Sequence, residues 1–208
     1  MKLIFRNDIV ALSAESDEER AICALLGAAD GHVFRLHCMS DRGFSLAEIG
    51  PEAEARRAPL NIVRGVEPRF ALISNLARTP FELEGERYAS IEGFWQGLKF
   101  SDATRRRATA RLSGPEAKKA GVAAGLPATI IHGGATIATG SPAHWALMHM
   151  ACRAKFSQHA GARTALLATG ERWLVHRVRR DSRTIPGAIL ADIWMRVRRE
   201  LRGETDLS

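Results

Sequence analysis

Three cysteines in 208 residues, Cys23, Cys38 and Cys152, are too few, too widely spaced and odd in number for a disulfide framework or a two-cysteine metal knuckle. They are expected to be buried thiols. No stretch approaches the roughly 20 apolar residues that a bilayer-spanning helix needs. The apolar positions of residues 1–14 are interrupted by Arg6, Asn7 and Asp8 before a signal-peptide core can form. These absences lead to the expectation of a soluble cytoplasmic protein with no membrane partner. Tandem repeats, low-complexity tracts and sustained heptads are missing too, which sets aside solenoids and coiled coils. His144 and His149 are five residues apart rather than the four that place two imidazoles on one helical face, and no metal site is expected. Gly133-Gly134 lacks the lysine and hydroxyl spacing of a phosphate-cradling loop and reads as a hairpin turn.

What is present fits a packed globular chain. The hydrophobic share is 46% and the charged share 25%, near the average of soluble domains, and the length suits one domain or a domain with a small companion. The net charge is +7 with a pI near 10.0, which favours anionic partners such as nucleotides or nucleic acid. The excess is concentrated late: nine arginines lie between Arg172 and Arg202 against Asp181, Asp192 and Glu200. Clusters at Arg105 to Arg107, at Arg179, Arg180 and Arg183, and at Arg196, Arg198 and Arg199 suit either a phosphate backbone or a solvated helix surface.

Along the chain, residues 3–5 and 9–12 flank Arg6-Asn7-Asp8 and predict a short strand pair or a bent strand. Ser16 followed by Asp17-Glu18-Glu19 is an N-cap with an acidic first turn, predicting a helix over residues 17–29. Residues 32–39 alternate in polarity like a strand with one buried face. A small α/β unit over residues 1–60 is therefore expected, with a boundary in or near the Pro-containing, charged segment 50–67. Beyond it, Glu84-Gly85-Glu86 predicts a short hairpin, Ser90 caps a helix over 91–100, and Ser101-Asp102 cap an arginine-rich helix. Pro115 opens a short helix expected to stop at Gly121, and residues 129–131 and 136–138 form a second hairpin. Ser141-Pro142 opens a long helix through Phe156, and further helices are expected over 161–169 and 188–201.

On the helix beginning at Ile91, Glu92, Gln96 and Lys99 share one face with Trp95 beside them. Glu92 and Lys99 would be separated by about 10 Å along the axis at 1.5 Å per residue, a gap suited to a sugar ring. A carboxylate can stabilise an oxocarbenium-like centre or activate water. A lysine can hold a phosphate or, with its pKa lowered by burial, attack an opened sugar. Spacing alone favours an ordinary solvated polar face, with Phe94, Trp95, Leu98 and Phe100 packing inward, because such helices are common.

Ile73-Ser74-Asn75-Leu76, the run from Pro80 through Tyr88, and Ser90-Ile91-Glu92-Gly93-Phe94-Trp95-Gln96-Gly97-Leu98-Lys99-Phe100 resemble the opening of the NADAR/YbiA-like family. The similarity continues through Pro115 to Gly121, Trp145, Arg153-Ala154-Lys155-Phe156, Leu166 to Gly170 and the final helix, over residues 68–202. The resemblance implies a mainly α fold, a YbiA-like helical domain with short hairpins. It also implies cleavage of N-glycosidic bonds in phosphoribosyl or ADP-ribosyl compounds, such as riboflavin-pathway ribosylaminopyrimidine phosphates or ADP-ribosylated guanine, with no metal and no cofactor. Carried over, Glu92, Lys99 and Asp181 are the catalytic positions, and Asn75, Trp95, Gln96 and Arg153 contact substrate. Two segments depart from the pattern: Gly93-Phe94-Trp95-Gln96-Gly97 replaces the usual His-Tyr-Phe-Gln-Ala, and residues 179–188 lack the usual Trp-Gly and Asn. The rival expectation is a non-catalytic module that binds nucleotide, ADP-ribose or nucleic acid. No motif specifies the oligomeric state.

Overall fold

The computed structural model describes residues 2–6, 9–27, 33–38, 44–49, 58–63 and 65–203, with side chains over 14–24, 58–63 and 65–203. Backbone contacts divide the chain into two units, Met1–Arg57 and Ala58–Ser208. The first contains β1 (Lys2–Arg6) paired antiparallel with β2 (Ile9–Ser13), helix α1 (Asp17–Gly27), and β3 (Val33–Cys38) paired antiparallel with β4 (Phe44–Ile49). The expected strand pair, helix and strand are present, and β4 is an addition. At the start of α1, Ser16 Oγ accepts from Glu19 N at 3.2 Å while Glu19 Oε2 accepts from Glu15 N at 2.7 Å, so two otherwise unmatched amides are satisfied reciprocally. The expected residues 28, 29, 32 and 39 of these elements, and the glycine and first proline of the boundary segment, lie outside the described residues. Cys23 is half-buried rather than buried, and Cys152 is fully buried.

The second unit is mainly α. A two-residue parallel pair, β5 (Leu60–Asn61) with β10 (Leu174–Val175), ties its start to its late part. Asn61 reinforces this pair by accepting from Arg177 N at 2.8 Å and donating to Arg177 O. A 3-10 helix (Pro68–Ile73) precedes the hairpin β6 (Phe81–Leu83) and β7 (Glu86–Tyr88). Glu84 and Gly85 both have positive φ, 53° and 77°, the two-residue turn that matches strand twist. Gly133 and Gly134 do the same between β8 (Thr129–His132) and β9 (Ala135–Ala138).

Among the described residues of this unit, six α-helices follow from local signals and one core. They are α2 (Ile91–Gly97), α3 (Ala103–Ala110), α4 (Gly114–Ala123), α5 (Pro142–Gln158), α6 (Ala160–Leu167) and α7 (Gly187–Arg202). Ser90, Asp102 and Ser141 cap α2, α3 and α5 by accepting from Gly93 N, Arg105 N and His144 N. Phe70, Phe94, Met148, Phe156, Leu166, Trp194 and Val197 are each at most 1% exposed and form one apolar cluster, each such side chain contributing about 1.5–3 kcal/mol.

Two helix ends differ from expectation. The helix expected over 91–100 ends at Gly97, and Lys99 N and Phe100 N make tighter bonds to Gln96 O and Gly97 O. Helix α4 does not stop at Gly121 but runs to Ala123. Gly121 is there for space rather than termination: a Cβ on it would fall 1.6 Å from Gln96 Oε1.

Candidate functional site

Helix α2 is set by two close approaches. At its start, a Cβ on Gly93 would lie 2.6 Å from Leu112 O and 2.9 Å from Thr109 O, so the end of α3 rests directly against the glycine backbone. Ser90 locks this crossing by donating from Oγ to Leu112 O at 2.9 Å while capping α2. One turn later, Gly121 of α4 leaves room for the Gln96 side chain.

The polar cluster follows from that frame. Gln96, 8% exposed, donates from Nε2 to Glu92 Oε1 at 2.8 Å. The carboxylate fixes which end of the amide faces it, since the reverse orientation would set two oxygens together. Gln96 Oε1 is consequently turned over Gly121, buried and without a hydrogen-bond partner. Glu92 N donates to Asn75 O at 2.9 Å, which joins the 3-10 segment to α2. The Asn75 side chain enters between α2 and α5, where Nδ2 contacts Met148 Sδ at 3.5 Å and Oδ1 is buried without a partner. Two unmatched buried acceptors, each costing about 1–3 kcal/mol, thus flank Glu92.

Lys99 follows the end of α2, and its Nζ donates to Gly121 O at 3.1 Å, a carbonyl of the last turn of α4 where a cation is favoured. Burial holds its amine below the ordinary lysine range, and the Glu92 charge opposes that shift. Trp95 is 5% exposed and stacked on His144, with ring centroids 4.0 Å apart. It backs the cluster from the core side and presents no open ring face. Burial lowers His144 to about 4, and its Nδ1 accepts from Gly140 N at 3.0 Å, so the neutral ring carries its proton on Nε2.

Asn75, Glu92, Gln96 and Lys99 are thus assembled as one cluster, with Trp95 behind them. Among the described residues no hydrogen bond or ion pair links Asp181 or Arg153 to that cluster. Asp181 Oδ1 accepts from Ser182 N and Gly187 N, shaping the entry into α7. Arg153 pairs with Glu200 at 2.9 Å, as does His149 at 3.0 Å, across the α5 and α7 seam.

Three supporting residues carry no site assignment in the sequence reading: Gly121, His144 and Lys155. Lys155 is 0% exposed and donates to Ile73 O at 3.0 Å and Ser74 O at 2.9 Å, holding the chain just before Asn75. Burial lowers its amine to about 7. Its sequence signal is a charged residue inside the apolar stripe of α5, a position that demands partners.

Comparison with known proteins accords with this architecture. The NMR structure of the E. coli protein YbiA matches with a TM-score of 0.54 and 26% sequence identity, covering 71% of this chain and 86% of that chain. The mainly α, YbiA-like fold is thereby established. No curated protein matches. The family described as Bacteriophage protein GP30.3 matches residues 69–192, a span that includes the whole polar cluster. With more than half of its length matched, the chain belongs to the Bacteriophage protein GP30.3 family.

Proposed function

We propose that the Ala58–Ser208 unit hydrolyses an N-glycosidic bond in a phosphoribosyl or ADP-ribosyl compound, with Glu92 and Lys99 acting on the sugar. The observation that carries this reading is the held carboxylate. Glu92 is anchored through its backbone by Asn75 and through its side chain by Gln96, beside an amine whose proton affinity burial lowers. A preorganised carboxylate stabilises positive charge developing at the anomeric carbon.

In the hydrolytic step, Glu92 takes a proton from water as the water oxygen bonds to the anomeric carbon. The bond from that carbon to the base nitrogen breaks, its electron pair stays on the base, and the nitrogen takes up a proton from the Lys99 ammonium. The YbiA-like fold and the similarity of the Ser90–Phe100 run to the NADAR/YbiA-like family support the reaction class. Asp181 as a third catalytic group and Arg153 as a substrate contact both require ligand binding to bring their segments to the cluster, since Asp181 is bonded to Ser182 N and Gly187 N and Arg153 to Glu200.

The test compares wild type with Glu92→Gln, a variant that keeps the hydrogen-bond acceptor for Gln96. Both are incubated with ribosylaminopyrimidine phosphates and with ADP-ribosylated guanine DNA, and base and sugar release are followed by mass spectrometry. Release by wild type and a loss of about 100-fold or more in the variant is expected for a residue acting in general acid–base chemistry. Binding of these compounds without release by wild type would refute the enzyme and leave a binding module.

A further inference from the structure

Outside the polar cluster, a cavity of about 450 Å³ opens between the loop before β6, strand β7 and the end of α3. Its walls carry Arg78, Arg87, Arg107 and Arg111, and Glu86 is the one acidic side chain among its lining residues. We propose that this cavity is a second ligand site, one that binds contiguous phosphate groups.

The arginines converge because of the backbone. Thr79 N donates to Ala89 O at 3.1 Å and Ala89 N donates to Ala110 O at 2.8 Å, so the three segments that carry them run side by side. Arg107 in the last turn of α3 and Arg111 at its C-cap, which keeps helical backbone angles, are four residues apart and project to the same side. Neighbouring arginines have other employment. Arg106 donates to Phe100 O and Ile131 O, and Arg105 lies over the Phe100 ring. Around the cavity, by contrast, Arg107 reaches Glu86 only at 3.8 Å. Arg78, Arg87 and Arg111 form no ion pair or side-chain hydrogen bond among the described residues, and all three are exposed.

Four guanidinium groups against one carboxylate leave the lining residues with a net charge of +3. Like charges gathered in a concave surface repel one another, and the arrangement is relieved by an anion with several oxygens. The planar fork of arginine matches phosphate oxygens in pairs. The ring of Tyr88 is not offered for stacking a base, since it packs on Phe81 at 5.4 Å and edge-on to Phe94 at 5.1 Å. Recognition there rests on phosphates, not on base identity. Contiguous phosphates come from the backbone of a single-stranded nucleic acid or from the pyrophosphate of a free nucleotide.

Two probes separate these sources on the full chain: a labelled single-stranded oligonucleotide followed by fluorescence anisotropy, and inorganic pyrophosphate followed by calorimetry. The variants are Arg87→Glu with Arg111→Glu and, as a control with the same change in net charge, Arg179→Glu with Arg180→Glu. If three or four backbone phosphates are held, oligonucleotide affinity should fall about 20- to 50-fold between 50 and 200 mM salt. The groove variant should bind at least about 10-fold more weakly than the control variant, with unchanged thermal melting. Pyrophosphate binding without oligonucleotide binding, lost in the groove variant only, would assign the site to a free nucleotide. Binding of neither probe, or equal weakening by the two double variants, overturns the proposal. Glu92→Gln should bind either probe as wild type does, so this result is independent of glycosidase activity.

Discussion

Two glycines of the α2 environment look alike in sequence and should respond differently to alanine. At Gly93 the new Cβ meets three backbone carbonyls at and just beyond the end of α3, Leu112 O at 2.6 Å, Thr109 O at 2.9 Å and Ala110 O at 3.2 Å. Backbone cannot swing aside, so α2 and α3 must separate by several tenths of an ångström, which also stretches the Ser90 bond to Leu112 O. Overpacking against rigid atoms costs about 3 kcal/mol at the top of its usual range. A weakened cap adds about 1 kcal/mol, and the better helix propensity of alanine returns about 1 kcal/mol. A net loss of about 3 kcal/mol is expected. At Gly121 the Cβ meets only Gln96, at Oε1 1.6 Å, Cδ 2.2 Å and Cγ 2.7 Å, and a flexible side chain can leave. The loss is then the Gln96 to Glu92 hydrogen bond, about 1.5–3 kcal/mol for a charged acceptor, less the same propensity gain of about 1 kcal/mol. Gly121→Ala should therefore fold with a net loss of roughly 0.5–2 kcal/mol. It should nevertheless release base roughly 10- to 100-fold more slowly, because Glu92 is no longer held in place. Urea denaturation measures the first quantity and base release by the folded protein the second. A Gly93→Ala protein as stable as wild type, or less affected than Gly121→Ala, would refute the packing argument. An unchanged rate in Gly121→Ala would show that Gln96 does not hold a working carboxylate.

Two further outcomes are expected. Lys155 is lowered by burial from 10.5 to about 7, so between those values the unfolded chain binds more protons and stability rises with pH; Cys152 is raised by burial from 9.0 to about 12, so above 9.0 the folded chain binds more and stability falls. The urea midpoint should rise from pH 7 to 9, by roughly 2–3 kcal/mol of stability, stay level to about 10.5, and then decline; a Lys155→Met protein that keeps the rise from pH 7 to 9 would refute the assignment. Ser90→Ala should lose about 2–3 kcal/mol in the same assay, because the cap of α2 and the partner of Leu112 O disappear together in a buried place. A loss under about 0.5 kcal/mol, the size of an ordinary surface substitution, would show that the crossing is held by the glycine contact alone.

Much of the secondary structure was legible because its signals are local. Ser90, Asp102 and Ser141 cap helices wherever the rest of the chain goes, and Gly133-Gly134 can only favour a tight turn. Gly121 shows the limit of such reading. In sequence a glycine after a short helical run signals a stop, yet in the fold it admits a side chain from another helix. The β5 and β10 pair was equally out of reach, since its strands are two residues long and more than a hundred residues apart.

The sequence by itself determined the capped helices, the hairpin turns, the basic charge and the grouping of Glu92, Gln96 and Lys99 within one eight-residue span, all of which depend on near neighbours. Only the tertiary structure decided what those groups do to one another. It ended α2 at Gly97, so that Lys99 turns to the Gly121 carbonyl instead of continuing a helical face. It brought Asn75 to the amide of Glu92, buried Trp95 against His144, and occupied Arg153 with Glu200. It also divided three consecutive arginines of α3 among a carbonyl clamp, an aromatic ring and an open cavity. The physical reason is the same in each case: a side chain's charge state and reach depend on which backbone passes within a few ångströms, and that is settled by packing between distant segments.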